Sequence, residues 1–359
     1  MLFVTNPLYD LHEAGPKSSY ISEPEVEKNT MKDLSTTYLG LRLKNPIVVG
    51  SCGLTNSVEK IKEFADNGAA AIVLKSLFEE QIEAELNANM DSYHTDYPDA
   101  FDYIKEYTRG SALDDHLNLI RETKKSVDIP IIGSINCVSG SEWVSFAESI
   151  QKAGADALEI NVSLLPSNPD VKSEHNEKLY FEILEKVCAK VSIPVALKMS
   201  RYSAGLANLV TRLSWSTENS VAGFVLFNRY YRPDINIDKV EITTADIYST
   251  PTEITESLRW IALLSGKVEK DFAASTGVHD SEGVIKQLLA GANAVQIVST
   301  LYKNGAGQIQ SILTGLEEWM ENKSYDSVDA FRGKLAYDNA DNPAAYERIQ
   351  FMKQFAGIS

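Results

Sequence analysis

Eight short apolar runs, each followed by an amphipathic helical stretch, constrain this chain more than any other feature. From Asn45 onward the runs fall at 46–50, 69–74, 130–135, 157–162, 194–199, 223–227, 271–275 and 294–298. They are predominantly apolar and bounded by Gly, Pro or polar turns, the pattern of strands buried on both faces. The helical stretches read as 57–67, with Thr55 or Asn56 as cap, then 113–127, 141–153, 177–191, 206–213, 253–264, 280–290 and 308–321. A polar, Tyr-rich loop precedes the second of these, and an insertion at 228–250 precedes the sixth. Strands of this kind separated by helices imply right-handed βαβ units. Eight units in about 290 residues match an α/β fold of the (β/α)8 TIM-barrel type. The competing doubly wound sheet announces itself with GxGxxG after the first strand. The turn here is Gly50-Ser51-Cys52-Gly53, so a barrel is expected.

The chain has 359 residues, and 34 Lys and Arg against 50 Asp and Glu leave a formal charge of -16. That balance repels polyanions and anionic bilayers, so neither nucleic acid nor membrane is an expected partner. The three cysteines, Cys52, Cys137 and Cys188, stand too far apart for a disulfide framework, a zinc ribbon or an iron–sulfur site. No metal site is expected, and the cysteine usage fits a reduced cytoplasm. Residues 1–30 lack a sustained period and read as a loosely ordered extension. Residues 31–359 read as a single barrel domain closed by a C-terminal helical tail.

Barrel chemistry sits where strands end. The polar residues there are Ser51, Lys75 with Ser76, Asn136, Asn161 with Ser163, Lys198, Asn228 with Arg229, Ser275 to Gly277, and Ser299 with Thr300. A lone Ser or Asn at such a place is commonly a turn former or cap. Lys75 and Lys198 differ, because an ammonium at an apolar barrel mouth must find an anionic or carbonyl partner or snorkel out. Two of them on different strands point to an electron-rich ligand. After the last two strands, Ser275-Thr276-Gly277 and Val298-Ser299 are small and hydroxyl-bearing, suited to phosphate.

The segments Asn45-Pro-Ile-Val-Val-Gly-Ser51, Leu74-Lys-Ser76, Glu159-Ile-Asn-Val-Ser163, Leu197-Lys-Met199, Ser275-Thr-Gly-Val278 and Gly291-Ala-Asn-Ala-Val-Gln-Ile297 occur in a set order. In that order and spacing the chain resembles the dihydroorotate dehydrogenase family, over about residues 36–337. The segment 325–334 looks like that family's closing helix. The resemblance implies FMN in a barrel and oxidation of a dihydropyrimidine ring by hydride transfer to flavin. It implies a cofactor site of Ser51, Lys75, Ser76, Asn136, Asn161, Lys198, Thr276, Gly277, Val298 and Ser299. Lys198 would face the pyrimidine end of the flavin, where a cation stabilises the reduced anion. Lys75, Asn161, Ser163, Asn228 and Arg229 would meet the substrate. It further implies a cytosolic-type enzyme of pyrimidine biosynthesis, a homodimer, that hands electrons to a soluble acceptor or a separate electron-transfer subunit.

Two departures stand out. Where the family places a Cys or Ser base after Asn-x-Ser, this chain has Leu164, in Asn161-Val-Ser-Leu-Leu-Pro-Ser-Asn168. Leucine accepts no proton, and Ser163 would point the other way if the strand continued. The substrate loop after the second strand is also rewritten, as Asp91-Ser-Tyr-His-Thr-Asp-Tyr-Pro98. His94 and Tyr202 are the candidate substitutes for the base, and Arg229 with Arg232 could clamp a carboxylate. Two other readings stand beside the flavoenzyme. One is a flavin-binding homologue without turnover. The other is a flavin-free barrel enzyme acting on a phosphorylated metabolite.

Overall fold

The computed structural model describes residues 32–79, 98–137, 140–215 and 221–348. Among them, eight strands form a closed parallel barrel: β3 (Ile47–Val49), β4 (Ala71–Val73), β6 (Ile131–Asn136), β7 (Ala157–Val162), β8 (Val195–Met199), β9 (Gly223–Leu226), β12 (Asp271–Ser275) and β13 (Ala294–Ile297). Each pairs with the next, β4 pairs with β6, and β13 returns to β3 to close the ring. The expected (β/α)8 barrel is therefore the fold.

Period-two alternation sorts each strand into two faces. Outward residues such as Ile47, Ile72, Ile131, Leu158, Leu197 and Phe272 pack against the surrounding helices. The inner floor is small, with Ala71, Ala157, Ala196, Ala273 and Ala294 beside Val48, Val73, Ile132 and Val225. That narrow floor leaves room for a plug. An antiparallel hairpin, β1 (Thr36–Tyr38) with β2 (Leu41–Leu43), packs Tyr38, Leu39 and Leu43 onto this inner cluster. Asp271 accepts the Leu39 N–H at 2.6 Å and the Asn293 amide at 2.9 Å, which ties the plug to β12. One layer further along the strands, the inward positions become polar: Ser134, Glu159, Lys198, Ser275 and Gln296.

The helices are α1 (Val58–Asp66), α2 (Pro98–Ser126), α3 (Gly140–Ala153), α4 (Ser173–Cys188), α5 (Leu206–Trp215), α6 (Ile254–Leu264), α7 (Ser281–Ala290), α8 (Ser299–Asn304), α9 (Gly307–Asn322) and α10 (Ala344–Glu347). Helix α7 shows how local sequence sets its limits. The Asp280 carboxylate caps the Gly283 N–H at 2.8 Å, and Gly291 ends the helix at φ +111. A cap of this type contributes about 1 kcal/mol.

Several boundaries depart from expectation. Ser57, not Thr55 or Asn56, caps α1, because its hydroxyl reaches the Lys60 N–H. Helix α2 begins at Pro98, so part of the expected Tyr-rich loop is helical. The insertion contains an antiparallel hairpin, β10 (Pro233–Asn236) with β11 (Glu241–Thr244). A two-residue strand, β5 (Leu77–Phe78), joins the edge of β6.

Among the described residues, the segment expected to be helical at 325–340 runs as successive turns, and the single turn of α10 follows. The reason is tertiary: Gly333 takes φ +73, and the N–H groups of Gly333, Leu335 and Tyr337 donate to Leu288, Leu289 and Ala262 instead of continuing a helix. Phe331 anchors the segment against Trp319 and Tyr325.

Candidate active site

A cleft of about 430 Å³ opens at the C-terminal ends of the barrel strands. That size suits a small-molecule or cofactor site. Its floor is the polar layer. Lys198, on β8, is 8% exposed, and Glu159, on β7, is 1% exposed. The Lys198 ammonium donates to Gln296 Oε1 at 3.0 Å and stands 3.3 Å from Glu159 Oε1. Gln296 Nε2 in turn donates to Glu159 Oε2 at 2.6 Å. Gly50 makes room for this arrangement: a Cβ there would lie 3.2 Å from Gln296 Oε1 and 2.9 Å from Val298 Cγ2.

Beside the lysine, three hydroxyls run from the cleft into the wall. Ser51 Oγ lies 3.0 Å from Ser76 Oγ, and Ser76 Oγ lies 2.7 Å from the fully buried Ser134 Oγ. Lys75 and Phe78 line the same side. Cys52 lines the cleft too, and burial pushes its thiol up, away from the reactive thiolate. Opposite, Asn161 and Asn228 face the cleft, and Asn228 Nδ2 is buried without a hydrogen-bond partner among the described residues. A buried donor of that kind awaits an acceptor.

The β12 and β13 ends form the third wall, from Ser275, Thr276, Gly277, Val278, Val298 and Ser299. Thr276 and Gly277 take φ +77 and +81 in succession. A Cβ on Gly277 would lie 2.2 Å from the Ile254 N, so close approach of α6 already demands this glycine.

The insertion supplies the rim. The Arg229 guanidinium donates to the carbonyls of Ile247 (2.6 Å), Asp246 (2.8 Å) and Tyr248 (3.2 Å), and to Glu253 at 3.2 Å. Burial alone would raise Glu253, but the Thr250 N–H and Arg229 outweigh it and hold the carboxyl below its usual range. Ser249 is clasped by Ser299 Oγ, His279 Nε2 and the Lys303 ammonium at 3.0, 3.0 and 3.1 Å. Burial and the nearby Lys303 push His279 down. On the other flank, Tyr230 donates to the Leu164 carbonyl at 3.0 Å, and burial lifts its phenol to about 12.

The expected site residues therefore divide. Ser51, Lys75, Ser76, Asn161, Lys198, Asn228, Arg229, Thr276, Gly277, Val298 and Ser299 converge on one cleft. Asn136 ends β6 opposite Phe78 and is not part of the described lining. Tyr202 is 39% exposed, stacks edge-on against Tyr230, and lines neighbouring recesses instead. Arg232 reaches Glu253 at 3.4 Å. Ser163 follows the last residue of β7, donates to Asn161 Oδ1 at 3.2 Å, and is not part of the described cleft lining. His94 lies outside the described residues. Sequence reasoning missed Glu159, Gln296 and Tyr230. The one available signal was the acid inside the 157–162 run, two residues before Asn161 and so on its face.

The family model described as dihydroorotate dehydrogenase matches residues 33–320. The chain belongs to the dihydroorotate dehydrogenase family. Membership makes it an oxidoreductase of the CH–CH class. It is 26% identical over 319 residues to the dihydroorotate dehydrogenase B (NAD(+)) catalytic subunit of Thermoplasma volcanium, covering 84% of this chain and 98% of the relative. It is 25% identical over 328 residues to dihydroorotate dehydrogenase A (fumarate) of Lactococcus lactis, covering 84% and 99%. It is also 23% identical over 325 residues to the NAD-dependent dihydropyrimidine dehydrogenase subunit PreA of Escherichia coli, covering 86% and 78%. Among the described residues, no helix is long and apolar enough to cross a membrane.

Proposed function

We propose that this protein oxidises the CH–CH bond of dihydroorotate or a related dihydropyrimidine, with FMN held in the cleft. The observation that carries the reading is the Lys198 ammonium on the cleft floor, braced by Glu159 and Gln296. The residues fit the cofactor. Asn228 offers a buried, unpartnered donor, Lys75 and Lys198 offer positive charge, and no acidic side chain is among the described lining.

FMN, when bound, supplies the hydride acceptor. Ser51, Ser76, Lys75, Asn161 and Lys198 would hold its ring, and Thr276, Gly277, Val298 and Ser299 its phosphate. Lys198 would stabilise negative charge developing on an electron-rich ring, at the place where a fixed cation acts most strongly. Asn161 and Asn228 can donate and accept, which suits the alternating N–H and C=O edge of a pyrimidine. Arg229 lines the cleft, but its guanidinium is already engaged in shaping the rim. The proton leaving the substrate needs another acceptor than Leu164, whose carbonyl is bound to Tyr230. His94, Tyr202 or a water are the remaining candidates.

Electrons then leave to a soluble acceptor or a separate subunit, in a cytoplasmic enzyme of pyrimidine metabolism that works as a homodimer. The PreA-type relative is named as a subunit of an NAD-dependent dehydrogenase, which supports the separate-subunit arrangement.

The test is reconstitution with FMN, then anaerobic addition of dihydroorotate, dihydrouracil and dihydrothymine. Bleaching of bound flavin by one of them is expected. Bound flavin that none of them reduces would favour the homologue without turnover, a reading that Leu164 specifically supports. Failure to take up FMN would reject the proposal.

A further inference from the structure

We infer that Glu159 is a positioning residue for Lys198: it acts through the lysine, and sets how much positive charge the cleft feels. The inference rests on the reading of the cleft as a flavin site.

Three side chains from three strands form one closed contact. Glu159 Oε2 takes the Gln296 amide N–H, Gln296 Oε1 takes the Lys198 N–H, and the Lys198 ammonium lies 3.3 Å from Glu159 Oε1. Among the described residues Glu159 Oε1 makes no hydrogen bond, so its hold on the lysine there is by charge. A carboxylate this deeply buried persists only when its charge is compensated. Lys198 and Gln296 line the cleft, whereas Glu159 is not part of the described lining. The carboxylate thus has no route to a ligand except through its two partners.

Its surroundings leave little else to do the work. The wall hydroxyl nearest in register is Ser134, directly across from Glu159 on β6. On the plug side Tyr38 packs into the alanine floor with its hydroxyl unpartnered, and it stays a neutral phenol because burial disfavours the phenolate.

The sign follows from Coulomb's law. A negative charge behind Lys198 offsets part of the cation's field at the cleft. Removing it leaves the ammonium uncompensated, so a ring in the cleft becomes easier to reduce. In Glu159→Gln the remaining amide oxygen still offers Gln296 an acceptor, so the charge is removed while the bond that orients Gln296 can be kept.

The experiment compares the wild type with Glu159→Gln, Glu159→Asp, Lys198→Met and the double variant Glu159→Gln/Lys198→Met. Thermal melting of the flavin-free proteins comes first. Each single charge removal should lower Tm, and the double variant should recover part of the loss. Redox titration of the FMN-loaded proteins at pH 6 follows. Glu159→Gln should raise the ratio of reduced to oxidised flavin at fixed poise about tenfold, which is about 30 mV for a two-electron couple. Glu159→Asp keeps the charge but withdraws it, and should fall between wild type and Glu159→Gln. It carries the test if the Gln variant does not fold. Additive losses in the double variant, or a potential that stays put or moves negative, would overturn the inference. Wild-type protein that takes up no FMN rejects the flavin reading instead, and the melting cycle still decides whether the two charges are coupled.

Discussion

Lys198 combines deep burial, a strand-end position and two polar partners that fix its direction. A charge placed this way contributes most when negative charge develops beside it, so its removal should be felt in the reaction rather than in cofactor affinity. Lys198→Ala is expected to lower the rate of flavin reduction by about 10²–10³-fold, with a much smaller change in FMN Kd. Stopped-flow reduction and a fluorescence binding titration separate the two. Gly277 makes the opposite kind of prediction, about stability. Its φ of +81 and the Ile254 N, which an added Cβ would meet, leave no space for a methyl group. Gly277→Ala should cost about 1–3 kcal/mol in urea denaturation, and a variant as stable as wild type would show that the turn relaxes freely. Inward polar residues such as Asn161, Lys198 and Asn228 are legible in sequence because each closes an apolar run. The bond between Glu159 and Gln296 is not, since 137 positions separate its partners and only barrel closure brings them together.

At the scale of elements, the insertion and α2 carry the tests. Tyr230 joins the insertion to the loop after β7 through the Leu164 carbonyl. Tyr230→Phe should raise KM for the reduced pyrimidine by a few fold with little change in Tm, because it loosens one loop and leaves the core alone. His116, on α2, is buried with Nε2 unpartnered among the described residues, and desolvation lowers it from 6.5 to about 4. The folded state therefore resists a proton that the unfolded chain accepts. Stability should fall as pH drops from about 6.5 toward 4, by up to about 3 kcal/mol from this group. His116→Leu should flatten that part of the curve of Tm against pH, and an unchanged slope would show that other groups dominate. The hairpins escape sequence reading for physical reasons. β1 and β2 are three residues each, too short to show a period. β10 and β11 are mostly exposed, so no core imposes an apolar pattern on them. The turns at 325–340 hide behind a helical pattern because contacts with Leu288, Leu289 and Ala262 override local propensity.

For the whole molecule, the barrel is legible because all eight strands are buried on both faces and so read as predominantly apolar runs. The proposed cofactor half of the site follows from that closure, which gathers Lys75, Lys198, Asn228 and the β12 and β13 ends around one mouth. The proton-accepting half does not. By the resemblance, Leu164 stands where the family's base is expected, and the segment with His94 lies outside the described residues. The central claim is thus an enzyme with an intact electron path and an altered proton path. Its most direct test is anaerobic single-turnover reduction of the FMN-loaded wild type by dihydroorotate and by dihydrouracil. At least one should reduce the flavin, at a rate about 10²–10⁴-fold below that of a relative with a Cys base. Reduction as fast as in that relative, or none by either compound, would contradict the account.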